Sequence, residues 1–223
     1  VQPGEKIALS CPTNAFFPIG YYAILKTGAV AVPLNILLKP HEIRHELADS
    51  QAVAYLCHTG SDKLALGAAG RAAFEKAATC HRFWEIPTCT TAAAEGISDY
   101  DKLVSGQPAT FDTVQLAPDA PCHILYTSGT SGHPKGAELS HHNVLLNAYV
   151  TQNHWGFCHD DVVLIALPLS HSFGLSVLIN PAWCGGAKTV LLPRFEPEAV
   201  WHAMAEHGVT GFAGVPTMRQ ALP

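Results

Sequence analysis

The sequence predicts an α/β fold, a mostly parallel β-sheet flanked by helices. Short apolar runs alternate with amphipathic helical segments from the start of the chain, which is typical of this class. The first two runs, Lys6–Cys11 and Ala29–Val32, are separated by one helical segment, and such a strand–helix–strand unit favours parallel pairing. The chain has 223 residues, 48% of them hydrophobic and 14% charged, which is enough apolar material for a large globular core.

Further strands are predicted where short apolar runs are bounded by turn residues. In chain order these runs are Ala52–Cys57, Arg82–Ile86, Cys122–Tyr126, Ala137–Ser140, Asp161–Ala166, Ala187–Leu192 and Val209–Ala213. Together with the first two runs they supply enough strands for an extended sheet.

Helices are predicted between these strands from capping residues and apolar periodicity. Asn14 can cap the first helix and Gly28 ends it, while Pro40 stands at the start of the second. Further helices are predicted at residues 62–78, at Ser98–Val104, where Ser98 and Asp101 have capping-box spacing, and from about Val144 to Asn153. Another helical segment runs through Leu178 and kinks or ends near Pro181. Pro197 opens the last predicted helix, which has Val200, Trp201 and Met204 on one side and Gly208 after it.

The connection between the predicted strands Cys122–Tyr126 and Ala137–Ser140 consists of small, hydroxyl-bearing and glycine residues with a single lysine. Glycines allow such a backbone to turn sharply and to approach a ligand, and successive backbone N–H groups form a concavity that binds anions. The hydroxyl groups add donors, and the lysine adds a positive charge. The residues concerned are Thr127, Ser128, Gly129, Thr130, Ser131, Gly132, Lys135 and Gly136. The pattern predicts a loop that binds a polyphosphate.

This loop differs from the common P-loop, which has a Ser or Thr directly after its lysine. Here Gly136 follows Lys135. The alternative interpretation is a flexible surface hairpin, because clusters of Ser, Thr and Gly are usually loops. A lysine fixed between Pro134 and Gly136, with an apolar strand close on each side, favours the polyphosphate interpretation.

The segment Tyr126–Gly136 resembles the phosphate loop of the adenylate-forming enzymes, which include acyl-CoA synthetases, luciferases and peptide-synthetase adenylation domains. This chain has Ser131 where the usual loop has threonine, so the hydroxyl is kept. Ile24–Asn35 and Leu38–Ile43 are similar to early segments of acyl-CoA synthetases and favour fatty-acyl or aryl-CoA ligases over amino-acid adenylation domains. Val215–Met218 resembles a later turn that lines the acyl pocket.

Leu167–Gly174 is similar to the second core motif of the same family, whose histidine borders the acyl pocket. His171 follows a predicted apolar strand, at the end where ligands gather in parallel sheets. From its position alone, a packed histidine bonded to a backbone carbonyl is the simpler interpretation. The motif favours a functional His171, with Phe173 and Gly174 lining the same pocket.

The resemblance implies part of the N-terminal large domain of an acyl-CoA synthetase and a two-step reaction. A carboxylic acid, expected to be a fatty acid, attacks the α-phosphate of ATP to give an acyl-adenylate and pyrophosphate. Coenzyme A then takes the acyl group and AMP leaves. ATP, Mg²⁺ and coenzyme A are therefore the expected cofactor and co-substrates. Residues 127–132 and Lys135 would hold phosphate, and His171 would be the catalytic residue.

Several parts of the family pattern do not occur between Val1 and Pro223: the Tyr-Gly-x-Thr-Glu and Thr-Gly-Asp motifs and the small C-terminal domain with its catalytic lysine. We therefore interpret residues 1–223 as a partial AMP-binding large domain without the small domain, and expect the fragment alone to be inactive. Two alternatives stay open. One is a non-catalytic module that binds a nucleotide or an acyl group, and the other is an acyl-AMP ligase or adenylation domain that loads a carrier protein.

Composition narrows the remaining function classes. The net charge of −5 argues against nucleic acid as the main partner, and no apolar run is long enough for a transmembrane segment, although peripheral membrane contact stays open. Seven scattered cysteines without a C-x-x-C pair suit reduced thiols and a cytoplasmic location. The Cys–His dipeptides lack zinc-site spacing, so no metal ligand is assigned. We also expect exposed apolar surface to allow homo-oligomers.

Overall fold

A computed structural model describes residues 1–61, 64–88, 98–99, 103–129 and 134–222. The chain forms two compact units. Val1–Cys11 and Phe16–His141 make up the first unit, and Pro12–Ala15 and His142–Pro223 make up the second. Both units contain parallel β-structure with helices packed on it, so the predicted α/β class is confirmed.

The first unit is built on a seven-stranded sheet. Its strands are β1 (Lys6–Ser10), β2 (Val30–Pro33), β3 (Ala52–His58), β4 (Arg82–Ile86), β5 (Ser98–Asp99), β6 (Pro121–Thr127) and β7 (Lys135–Ser140). Their order across the sheet is β5-β4-β3-β1-β2-β6-β7, and every neighbouring pair is parallel except β6 and β7. The carboxyl ends of the parallel strands therefore lie at one edge of the sheet, and the connection that follows β6 begins there.

Three helices cover this sheet: α1 (Phe16–Lys26), α2 (Pro40–Asp49) and α3 (Leu66–Phe74). Leu9 lies against Gly20 of α1. Its neighbour Ala8 belongs to the apolar cluster that α2 and α3 complete. Because successive side chains of a strand point to opposite faces, α1 covers one face of the sheet, and α2 and α3 cover the other.

The second unit contains a three-stranded parallel sheet in the order β10-β8-β9. In chain order its elements are β8 (Val162–Ile165), a π-helix (Phe173–Ile179), α5 (Asn180–Cys184), β9 (Lys188–Leu191), α6 (Pro197–His207), β10 (Gly211–Phe212) and α7 (Pro216–Ala221). Helix α4 (His141–Trp155) precedes them and begins at the last residue of the first unit. Leu164, Ala166, Val200 and Ala203 form the centre of the apolar cluster in this unit.

The structure corrects several predicted elements. Ser98–Asp99 was predicted to begin a helix, but these two residues form β5 and pair with Trp84 and Glu85 of β4. The hydrogen bonds to β4 come from distant sequence and outweigh the local capping signal. Residues 100–102 of that predicted helix, and residues 62–63 of the one before it, lie outside the described residues. The helix expected from about Val144 begins at His141.

The apolar side predicted for α6 is correct for Val200 and wrong for Trp201. Val200 is fully buried, whereas Trp201 is 46% exposed. Gly208 ends the helix as predicted, in the left-handed conformation with φ of 60°.

Helix α4 presents an apolar side to solvent: Leu145, Leu146, Tyr149 and Val150 are all exposed, and only Ala148 is buried. Self-association through apolar surface stays a prediction. The described cysteines form no disulfide, and four of them are buried and two exposed. Every helix in the part of the chain that the structure describes is too short or too polar to cross a lipid bilayer.

Glu46 is a buried acid on α2. Its side chain is on the face of the helix that packs on the sheet, and the residue is only 3% exposed. Burial, with smaller contributions from Glu42 and Asp49, raises the pKa of Glu46 to about 7. The folded protein therefore keeps a proton on this carboxyl at pH values where the unfolded chain has lost it.

This shift predicts a pH-dependent effect of Glu46→Gln on stability. As pH rises from about 4.5 to about 7, the buried Glu46 carboxyl destabilises the folded state, because the folded state must bury a charge that the unfolded state leaves in water. At pH 8 the variant should be more stable than the wild type by up to about 2–3 kcal/mol, and at pH 4.5 the two should be equal. Urea unfolding at both pH values measures this.

The matched control is Glu75→Gln, which changes an exposed carboxylate in the same unit. It should leave the free energy of unfolding nearly unchanged at both pH values. Equal stabilities of wild type and Glu46→Gln at pH 8 would show that Glu46 is ionised without penalty in the folded protein.

Candidate functional site

The predicted phosphate loop connects β6 to β7 at the carboxyl edge of the first sheet. Thr127 is the last residue of β6 and lies opposite Lys135, the first residue of β7, in the antiparallel register. The Thr127 hydroxyl is 3.5 Å from the Lys135 carbonyl oxygen, which it faces as a donor. The two ends of the loop are thus held side by side, at the edge where parallel α/β sheets bind ligands.

Four residues at the base of this loop present groups that suit an anion. Thr127, Ser128 and Lys135 are exposed, and no described carboxylate lies within salt-bridge distance of Lys135. Gly129 has a φ of 57°, a left-handed conformation that glycine adopts without strain. The hydroxyls and the ammonium group are therefore accessible to a phosphate. These residues fit a polyphosphate ligand.

The middle of the loop lies outside the described residues. Thr130, Ser131 and Gly132 therefore remain predicted phosphate-binding residues, as the sequence pattern has them.

Gly136 contributes space rather than a turn. It lies within β7, opposite Tyr126. A Cβ at this position would be 2.7 Å from Cγ2 of Ile124 and 3.3 Å from Cζ of Tyr126. The prediction that Gly136 helps the chain to turn is wrong, because the residue is needed for the close approach of the Tyr126 ring to the neighbouring strand.

Polar contacts hold β6 on both faces of the sheet. Nδ1 of the fully buried His123 lies 2.8 Å from the Tyr21 hydroxyl of α1. Burial, reinforced by His141, lowers the pKa of His123 to about 4, so the imidazole is neutral near pH 7. On the other face, the Tyr126 hydroxyl donates to Oδ2 of Asp49 at 2.7 Å. The strand that leads into the loop is therefore tied to α1 and to α2.

The sequence identified neither the hydrogen bond between Tyr126 and Asp49 nor the burial of Glu46. Burial and the adjacent Asp49 raise the pKa of Tyr126 well above its usual range, so its hydroxyl remains a donor. One sequence signal could have found this pair. Asp49 is the last residue of α2, and the last turn of this helix has no basic residue. An acid is unfavourable at the negative end of a helix dipole unless a donor compensates it.

His171 lies on the surface of the second unit, in the segment that follows β8. Its Nδ1 accepts a hydrogen bond from the Phe173 backbone N–H at 3.2 Å. In the neutral ring the proton is therefore on Nε2, which is left to donate to a ligand. The alternative of a packed histidine is wrong for this structure, because the residue is exposed. Its catalytic role stays a prediction.

Phe173 and Gly174 begin the π-helix that follows His171. Phe173 is half-buried and Gly174 is buried. A Cβ on Gly174 would collide with the carbonyl oxygen of Pro168. The segment is also tied at its start, because the Leu167 carbonyl accepts a hydrogen bond from the Thr13 hydroxyl at 2.9 Å. The motif is therefore a compact turn that fixes the His171 backbone.

The predicted change of helix near Pro181 is confirmed. The Asn180 N–H bonds to the Leu175 carbonyl, five residues back, which is the π-helical pattern. Proline has no N–H to donate, so the π-helix ends before Pro181, which lies in the first turn of α5. Single π-turns of this kind are common at functional sites.

Comparison with known proteins identifies relatives along the whole chain. Residues 1–222 match the family model described as AMP-binding enzyme. A feruloyl-CoA synthase from Amycolatopsis sp. is 33% identical over 224 residues, which cover 100% of this chain and 40% of that protein. The chain thus spans about 40% of the length of this curated relative.

Solved structures of CoA ligases have the same fold over this length. An anthranilate CoA ligase, AuaEII, in complex with anthranoyl-AMP is 27% identical with a TM-score of 0.88, over 99% of this chain and 42% of that chain. ATP-bound MatB from Rhodopseudomonas palustris is 28% identical with a TM-score of 0.82, over 100% and 41% of the two chains. The predicted resemblance to N-terminal regions of CoA ligases is confirmed.

The packing of Gly174 predicts the effect of Gly174→Ala. The added methyl group must displace the Pro168 backbone, so the free energy of unfolding should fall by about 1–3 kcal/mol. Gly211→Ala is the control, since its methyl group would meet Phe157 and Val163 at 3.7 Å, an ordinary contact. Urea unfolding measures both. A Gly174→Ala protein as stable as wild type would show that the turn after β8 is not tightly packed.

Proposed function

Since this chain belongs to the family of AMP-binding enzymes, we propose that it is the phosphate-binding part of an ATP-dependent acid–thiol ligase. In this proposal a carboxylate attacks the α-phosphate of ATP and displaces pyrophosphate. Coenzyme A then attacks the acyl carbon of the acyl-adenylate and releases AMP. The observation that carries the proposal is the hairpin from β6 to β7, which exposes Thr127, Ser128 and Lys135 at the carboxyl edge of a parallel sheet.

The first step requires little covalent chemistry from the protein, because catalysis at phosphorus consists mainly of positioning and charge stabilisation. The Ser128 hydroxyl would donate to the β- and γ-phosphates, and the Thr127 hydroxyl would do so after turning away from the Lys135 carbonyl. The glycine backbone at 129 allows the phosphate oxygens to approach closely. Lys135 would neutralise charge that builds up on pyrophosphate as it leaves.

One lysine does not balance the charge of a triphosphate, so Mg²⁺ bound to the phosphates would share it. Among the described residues there is no group of three His, Cys, Asp or Glu side chains that could hold a metal ion. The protein groups at the base of the loop would contact phosphate oxygens.

The second unit would contribute to recognition of the acid. With Nδ1 engaged by the Phe173 N–H, the Nε2–H of His171 can donate to a carboxylate oxygen. Phe173 and Gly174 would line the apolar part of that pocket. A fatty acid was expected from sequence. The names of the feruloyl-CoA synthase and the anthranilate CoA ligase add aromatic acids, and we propose both classes for testing.

The experiment that tests this function is carboxylate-dependent exchange between pyrophosphate and ATP, measured on the protein at its full natural length. We expect exchange with one class of acid among ferulate, anthranilate, benzoate and fatty acids of increasing length. Lys135→Ala should reduce the exchange rate roughly ten- to a hundredfold, because it removes a cation that stabilises the leaving group. Lys135→Ala and its control are assayed with the same acid.

Lys26→Ala is the matched control, since Lys26 is also exposed and belongs to the same unit but ends α1. It should leave exchange unchanged. No exchange with any acid, by a folded protein that still binds ATP, would contradict the ligase and leave a nucleotide-binding module. Exchange without transfer to coenzyme A would instead indicate an acyl-AMP ligase that loads a carrier protein.

A further inference from the structure

We propose that Tyr126 is a positioning residue for the phosphate loop, which it holds against α2 through its hydrogen bond to Asp49. The effect on nucleotide binding rests on the proposed function, whereas the mechanical role stands on the geometry alone. Tyr126 directly precedes Thr127, the first loop residue, and its hydroxyl is 2.7 Å from Oδ2 of Asp49. The same hydroxyl is 3.3 Å from the Glu46 carbonyl oxygen.

The Tyr126 ring, which belongs to β6, lies next to β7 and to α2. It packs against the apolar cluster formed by α2, α3 and the sheet. Across the hairpin it lies over Gly136, where the missing side chain leaves room for the ring. A tyrosine in this position is therefore enclosed by α2 on one side and by β7 on the other. The hydrogen bond from the Tyr126 hydroxyl to Asp49 therefore restrains both β6 and β7.

The position of Asp49 indicates that its hydrogen bond to Tyr126 contributes more than packing does. Asp49 is exposed and ends α2, where the helix dipole disfavours an anion and no basic residue of the last turn compensates it. Glu42 and Glu46 add two more acids to the same helix. The Tyr126 hydroxyl supplies the donor that this carboxylate needs, and a bond to a charged acceptor is stronger than one between neutral groups.

β7 has little else to hold it. Among the described strands it stands at the edge of the sheet and pairs with β6 alone, and its residues from Lys135 to Glu138 are exposed. Both ends of the loop therefore depend on the hairpin, and the hairpin is joined to α2 through Tyr126. Without the hydroxyl, the ring would still fill its space, but the end of the hairpin that carries the proposed phosphate loop would be held less firmly against α2.

The test compares Tyr126→Phe and Asp49→Ala with Tyr55→Phe. Tyr55 is the matched control, because its buried hydroxyl also makes a 2.7 Å bond in this sheet, to Ser10 of β1, away from the hairpin. Hydrogen exchange of backbone amides in residues 122–127 and 135–139 is measured first. Loss of the bond to Asp49 should speed exchange there about tenfold in both test variants, whereas Tyr55→Phe should leave it unchanged.

The second readout is the dissociation constant for Mg-ATP and, in the exchange assay, the KM for ATP and for the acid. Tyr126→Phe and Asp49→Ala should each weaken ATP binding about five- to tenfold and leave the KM for the acid unchanged. The double variant should be no worse than either single variant, because both remove the same bond. A merely structural loss would change both KM values or neither.

The outcomes separate the two proposals. Wild type that binds neither Mg-ATP nor pyrophosphate contradicts the proposed function, and the amide-exchange comparison still decides the role of Tyr126. The positioning role is overturned if the rate of amide hydrogen exchange in the hairpin is unchanged in Tyr126→Phe, or if it rises equally in Tyr55→Phe. Should Tyr126→Phe fail to fold, Asp49→Ala tests the same hydrogen bond from its other side, since it changes an exposed side chain.

Discussion

The antiparallel pairing of β7 with β6 is the constraint on which the proposed phosphate loop depends. All other neighbouring strands of the first sheet are parallel, and if β7 were parallel to β6 the chain would need a long crossover between them. The reversal allows a short connection that starts and ends at the carboxyl edge. It also places Lys135 opposite Thr127, although the two residues are eight positions apart in sequence. Charge and hydroxyls are brought together by the backbone register alone.

Contacts on both faces of the sheet make that register firm. β6 is joined to α1 through His123 and Tyr21 and to α2 through Tyr126 and Asp49. Positions 123 and 126 differ by an odd number, so their side chains point to opposite faces of the strand. A shift of β6 by one residue would break both contacts and place the neutral, buried His123 in the wrong layer. In the second unit, the turn after β8 is fixed by the close packing of Gly174 on the Pro168 carbonyl and by the hydrogen bond from the Phe173 N–H to His171.

Much of this arrangement could be predicted from sequence because its signals are local. Apolar runs such as Ala52–Cys57 identify strands, and the alternation of strands and helices indicates parallel pairing. The Thr-Ser-Gly pattern and Lys135 identify the loop for the same reason, since the chemistry is contained in consecutive residues. Pro181 marked a change of helix because proline lacks the N–H that an α-helix or π-helix needs.

The parts that sequence did not predict depend on contacts between distant residues. Tyr126 and Asp49 are 77 positions apart, and neither residue alone indicates a bond. β5 forms because β4 offers an edge, which the helical capping signal at Ser98 does not show. The spacing of Trp201 places it beside the apolar residues of α6, but it remains 46% exposed. How much of a helix is buried depends on which elements pack against it, and those elements come from distant sequence.

The central claim, that the hairpin at the carboxyl edge binds polyphosphate, is tested most directly by titrating the isotope-labelled chain with pyrophosphate and following its backbone amide resonances. If the hairpin binds polyphosphate, the resonances of Thr127, Ser128, Gly129 and Lys135 should shift together along one binding curve, while those of α6 and β10 should not move. Saturable shifts confined to any other part of the chain, or no shifts at all from a folded protein, would contradict it.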